Sequence, residues 1–244
     1  MAERNPRRYT PRAPGTWRDK TSRSSSARRA LVQQMRGRAT YTRIPSAELK
    51  VTDCVIAPAA AQLPNIAGVA YTEPAVASTG YCSLNAVIQQ GAGFFQRIGQ
   101  KIVIKKVEMR LCLVCTAAPT QAWVRHMLVF DRAPNGAAPA LADIIFSQPA
   151  AGATSNSMAS VVNKSRFYIM FDKQHDMATT DATYIQEINF KKSCNLTCHY
   201  GANAGVIGDI RAGAFYLISF TLAAAGGVNY SAGGAHVRFS FLDL

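Results

Sequence analysis

The sequence predicts an all-β domain behind a basic arm. Three observations carry this. Short runs alternate apolar and polar residues with period two, clusters of Gly, Pro, Asn and Asp separate them, and most of the excess charge lies ahead of the first run.

The charge comes first along the chain. Residues 1–43 hold twelve basic residues, Arg4, Arg7, Arg8, Arg12, Arg18, Lys20, Arg23, Arg28, Arg29, Arg36, Arg38 and Arg43, against the acids Glu3 and Asp19. The arm is therefore +10 of a chain total of +13. Eleven of the twelve are arginine, whose planar fork matches phosphate and is weakly hydrated. Residues 1–22 combine three prolines with few aliphatics and read as disordered. Ser24 to Arg38 has serine caps followed by Ala27, Ala30, Leu31, Val32 and Met35, enough for a short helix of marginal independent stability. Tyr9 and Trp17 sit among the arginines, where they can stack on unpaired bases. All twelve basic residues are the candidate nucleic-acid-binding set, and the same blocks can serve as a nuclear address.

Residues 44–244 are expected to form the folded domain. About 200 residues can bury roughly 70% of their unfolded surface, so no staple is required. The candidate strands, in order, are 48–57, a short piece near "GVAYT" in the loop 58–82, 101–115, 122–131, 165–173, 181–192 with "CNLTCHY" after it, 213–222 and 235–244. In the third, Val103, Val107, Met109 and Leu111 fall on one parity, and Lys106, Glu108 and Arg110 on the other. Val124, Leu128 and Phe130 oppose Arg125, while Phe167, Ile169 and Phe171 share a face. The long excursion after Asp131 carries one short helix, Ala140–Phe146. About eight strands at this spacing, without a long helical period after residue 40, predict a sandwich or barrel, and best a single eight-stranded jelly roll.

Several chemistries find no support. "CLVC" and "CNLTC" have cysteine spacings that invite zinc, but Cys112 and Cys115 lie in one strand, where residues three apart face opposite ways. His126 and His236 fall in strands and His175 in the loop "KQHDM", none at metal-ligand spacing. There is no P-loop, no GxSxG, and the Gly91–Gly93 pair leads into a strand rather than a helix. The expectation is no enzyme, no metal and no cofactor. No stretch is long and apolar enough to span a membrane, and the N-terminus lacks the apolar core of a secretory signal. The six cysteines are accordingly expected to be reduced.

The stretch Leu84–Arg110, "LNAVIQQGAGFFQRIGQKIVIKKVEMR", resembles the coat proteins of small icosahedral viruses, those of circular single-stranded DNA viruses of the geminivirus-like group and of the satellite tobacco necrosis virus type. In these families "LN-x-I-x-QG", then "R-x-G", then a basic-apolar strand recurs. "VRHMLVFDRAPNGAAPALADIIF", "KSRFYIMFDKQHDM" and the closing "VRFSFLDL" are similar in the same order. The resemblance implies a jelly roll whose copies close into a shell around a single-stranded genome, DNA more than RNA. It places nucleic-acid binding on the arginines of residues 4–43, and the protein in the virion and the host nucleus. It also implies that the glycines let backbone lie close to neighbouring subunits. Calcium sites are known in some relatives, and Asp172, Asp176 and Asp181 are candidates for one by clustering alone. The alternative is a cellular nucleic-acid-binding β-barrel, which would be monomeric and carry stacking aromatics on its strands; a cupin-like enzyme would need a histidine set that is absent.

Overall fold

The computed structural model describes residues 48–56, 63–64, 69–72, 80–115, 123–145, 158–177, 184–221 and 228–244. Ala47–Leu244 forms one compact unit. The arm, with its twelve basic residues and the candidate helix, lies outside the described residues, as does Asp181.

Among the described residues ten strands form two five-stranded sheets. They are β1 (Leu49–Ile56), β2 (Ala70–Thr72), β3 (Gly80–Ser83), β4 (Lys101–Cys115), β5 (Trp123–Asp131), β6 (Phe167–Asp176), β7 (Tyr184–Tyr200), β8 (Ile210–Ala212), β9 (Ala214–Thr221) and β10 (Val228–Asp243). One sheet has the order β1-β10-β4-β7-β8, the other β2-β3-β9-β5-β6. Apart from the β5–β6 pair, the longer strands switch sheet at each step, which is the jelly-roll winding. β2 falls on the short piece expected near "GVAYT" and pairs in parallel with β3, while β3 and the three-residue β8 add to the expected strands. His175, expected in a loop, lies on β6.

The sheets close on an aromatic and aliphatic core. Phe215 of β9 meets Phe239 of β10 at 5.1 Å, and Phe171 of β6 meets Phe190 of β7 at 5.1 Å, so both pairs bridge the sandwich. β5 and β9 are buried on both faces. Their inner faces meet the other sheet. Their outer faces lie under the excursion between β5 and β6, where helix α1 (Leu141–Ile145) buries Ile144 and Ile145 and the Tyr81 hydroxyl donates to the Pro139 carbonyl at 3.0 Å. On this side Arg125 grips Asp172 through Nε at 2.8 Å and Nη2 at 2.6 Å, and Arg166 holds the fully buried Asp131 at 2.9 and 2.8 Å.

Two bulges overturn two parity expectations. On β4, Ser240 pairs with Lys106 but Phe241 with Ile104, leaving Lys105 as an extra residue against β10. The inward set therefore changes from Ile102 and Ile104 to Val107, Met109 and Leu111, and Val103 is turned away from the core side it was expected to share. On β6, Leu128 pairs with Phe171 but Val129 with Ile169, so Met170 is the extra residue. Phe171 and Tyr168 consequently face inward, whereas Phe167 and Ile169 lie on the opposite face. An inserted residue reverses every later side chain, and period-two reading has no means to anticipate it.

Candidate shell clasp and nucleic-acid interface

Between β3 and β4 the glycine-rich stretch folds into a clasp. It begins with a 3₁₀ turn, Asn85–Val87. Asn85 is wholly buried, and its amide is used at both ends: Nδ2 donates to the Gly213 carbonyl at 2.8 Å, and Oδ1 accepts from the Phe215 backbone N–H at 2.9 Å. The Tyr200 hydroxyl donates to the Asn85 carbonyl at 3.0 Å. Gly213 must be glycine for this. Its φ is +78°, and a Cβ there would sit 2.3 Å from the Thr197 carbonyl oxygen.

Arg97 fixes the far side of the clasp. Only 1% exposed, it donates to three carbonyls: Nε to Ile88 at 3.1 Å, Nη1 to Gly99 at 2.8 Å and Nη2 to Ala202 at 2.6 Å. Its guanidinium stacks 4.3 Å from the centre of the Tyr200 ring. The backbone closes the loop through Arg97 N–H to Gln89 at 3.0 Å and Gly91 N–H to Arg97 at 2.9 Å. Gln90 Nε2 reaches the Ile98 carbonyl at 2.8 Å, and Lys50 Nζ the Gln96 carbonyl at 2.9 Å while also pairing with Asp243 at 2.8 Å. The Thr52 hydroxyl donates to the Phe95 carbonyl. Each residue of the LN, R and G pattern thus has a task inside one chain: the Leu84 N–H bonds the Phe215 carbonyl, and a Cβ at Gly99 would approach the Leu244 carbonyl to 3.3 Å. The sequence showed the motif but not the network, because Tyr200 and Gly213 stand more than a hundred residues further on.

The exposed face of the first sheet is polar and largely self-neutralised. Glu108 lies 2.9 Å from Lys106 and 3.6 Å from Lys191, which hold its carboxyl below the usual range. Arg238 forks onto Asp53 at 2.6 and 2.7 Å, and that contact lowers the Asp53 carboxyl likewise. An open depression of about 720 Å³ runs beside them, lined in part by Arg110, Cys112, Glu187, Asn189 and His236. On this face Glu108 and Asp53 thus engage Lys106, Lys191 and Arg238, while Lys105 bonds the uncharged Asn195.

The sulfur and carboxylate candidates are dispersed. Cys112 is half-buried on the outer face of β4 and Cys115 buried on the inner, the alternation expected of one strand. All six cysteines are free thiols. Burial pushes the Cys54 thiol up to about 12 and raises those of Cys82 and Cys198 further. Asp172 is taken by Arg125, and Asp176 stands opposite Trp123 in the β5–β6 ladder. Among the described residues no three His, Cys, Asp or Glu side chains gather as a metal set.

One pair of histidines, a buried one and a half-buried one, had no sequence signal. His126 on β5 is fully buried, with Nδ1 2.8 Å from the Ser219 hydroxyl, and its ring lies 5.9 Å from that of His175 on β6. Lys173 pairs with His126 across the same ladder. Burial pushes the His126 imidazole down to about 3, with His175 adding to the effect. A depressed folded pKa means that the unfolded chain takes the proton first. Stability from this residue is complete above about pH 6.5 and is lost as pH falls, about 2 kcal/mol of it by pH 5. Urea midpoints at pH 7 and pH 5 should show that loss, and His126→Gln should flatten it; an unchanged slope in the variant would assign the acid sensitivity elsewhere.

No curated protein matches the chain. Its sequence matches the profile of one family over residues 3–243, a span that takes in both the arm and every strand of the sandwich. The clasp motif, the jelly-roll winding and the arginine-rich start stand together over that span, and the chain belongs to the geminivirus coat protein/nuclear export factor BR1 family.

Proposed function

We propose that this chain is the repeating unit of an icosahedral viral shell, and that its arm packages a single-stranded genome, DNA in preference to RNA. The family match over residues 3–243 carries the coat-protein reading, and the charge division carries the packaging reading, with +10 of +13 in residues 1–43. A polyanion held by counterion release needs a dense row of cations with few acids among them, and the arm sets twelve basic residues against Glu3 and Asp19. The jelly roll supplies a rigid wall. The same arginine blocks, "PRRYTPR" and "ARRALVQQMRGR", act as the nuclear address.

Electron microscopy of the purified full chain tests this. Particles of one diameter are expected, containing nuclease-protected nucleic acid that DNase, not RNase, degrades once the particles are opened. A chain that stays monomeric under all assembly conditions would favour the export-factor side of the family or a cellular nucleic-acid-binding β-barrel instead.

A further inference from the structure

We propose that the tip of the clasp, Phe94, Phe95 and Ile98, is the apolar centre of a contact with the shell domain of a second copy of this chain. The inference rests on the shell reading above and names the surface through which it operates. These three side chains are 56%, 61% and 63% exposed within a stretch of five residues. Scattered exposed apolar residues are ordinary, but two adjacent phenyl rings beside an isoleucine are not scattered. The two rings alone leave on the order of 200 Å² open. A standard interface buries roughly 800 Å² on each partner around a smaller aromatic centre, so the tip has the size of such a centre and not of a whole interface.

The chemistry selects the occupant. Residues 89–100, "QQGAGFFQRIGQ", carry a single charge, Arg97, and that charge is buried. The rim of the patch is glutamine: Gln89, Gln90 and Gln100 are exposed around it. A nucleic acid would need cations here and an arginine-rich arm would need acids or phosphates; the carboxylate at the tip, Asp243, accepts from the Ile98 N–H and is already paired with Lys50. A charge-depleted aromatic centre with an uncharged polar rim fits another folded, apolar protein surface. The tip is also held in place before binding. Arg97 ties the backbone on one side, and Thr52 and Lys50 hold the Phe95 and Gln96 carbonyls on the other, so little ordering remains to oppose association.

The test compares the full chain with its Phe94→Ser/Phe95→Ser variant by sedimentation across a concentration series. The variant should keep the wild-type circular dichroism and thermal midpoint, since both residues point outward. Its assembly threshold should rise at least roughly tenfold. A second measurement places p-benzoylphenylalanine at position 95 and maps the photo-adduct, which should join residue 95 to residues 48–244 of another copy. Wild-type particles together with an unshifted variant threshold, or adducts to residues 1–47 or to nucleic acid, would overturn the inference while leaving the shell reading intact. A wild-type chain that never assembles would overturn both.

Discussion

Replacing Arg97 with Met is expected to lower the thermal midpoint by about 10 °C. Methionine keeps the stem volume and removes the guanidinium, so three carbonyls, those of Ile88, Gly99 and Ala202, lose their donor at once, and Tyr200 loses the cation over its ring. Hydrogen bonds to a charged group contribute about 1.5–3 kcal/mol each, and part of that is recovered when water reaches the outer two carbonyls. A net loss of about 3–5 kcal/mol follows, and a domain of this size shifts by about 2–4 °C for each kcal/mol. Arg97→Lys should fall between, because an ammonium lacks the planar fork needed to reach three diverging carbonyls. Arg238→Met is the control. That arginine makes an equally well formed bidentate contact, to Asp53, but on an exposed face, where water screens the pair and its loss should move the midpoint little. Differential scanning calorimetry of the three variants decides. If Arg97→Met moves the midpoint by under 3 °C, the clasp is not held as described.

The contrast between the two arginines marks what the sequence could convey. Both are single letters in a mostly β chain, and nothing local says that one is 1% exposed with three acceptors while the other pairs on the surface. The strands were readable because propensity and period are local: β4 spans Lys101–Cys115, the bounds expected of it, and α1 falls within the expected helical piece. β3 and β8 were not found, being four and three residues long, too short for a period to register. β7 was read as two pieces, and the ladder to β4 does shift register at that junction, between Ser193 and Leu196, although the strand itself runs on to Tyr200. The faces failed at Val103, ahead of Lys105, and at Phe171, after Met170, because one extra residue reverses the alternation. The clasp was legible as a motif and opaque as a mechanism. The glycines before β4 were expected to lie close to a neighbouring subunit; within the chain, a Cβ at Gly91 would meet the Gln96 side chain and one at Gly99 the Leu244 carbonyl.

Salt should weaken the binding of single-stranded nucleic acid to this protein steeply, and the steepness should belong to the arm. The motivation is the +10 charge of residues 1–43, nearly all arginine, set against a shell face whose Lys106, Lys191 and Arg238 are engaged by Glu108 and Asp53. For single strands the slope of log affinity against log salt is about −0.7 per phosphate contacted. An arm making roughly six contacts should then lose on the order of a hundredfold or more between 50 and 200 mM salt. Changing Arg7, Arg8, Arg28 and Arg29 together to Ala removes four cations and should flatten the slope by as much as about 2.8 if each contacts a phosphate. Those residues precede the expected folded domain, so shells should still form, but with less nucleic acid inside and a lower ratio of absorbance at 260 to 280 nm. Replacing Lys106, Lys191 and Arg238 with Gln instead should change the slope little, because those cations already have carboxylate partners. Sequence should matter little throughout, since phosphates carry no base identity. A labelled oligonucleotide titrated across the salt series, with the absorbance ratio of purified particles beside it, measures both quantities. Binding that ignores salt, or full particles from the quadruple variant, would make the arm an address only and place packaging on the folded domain.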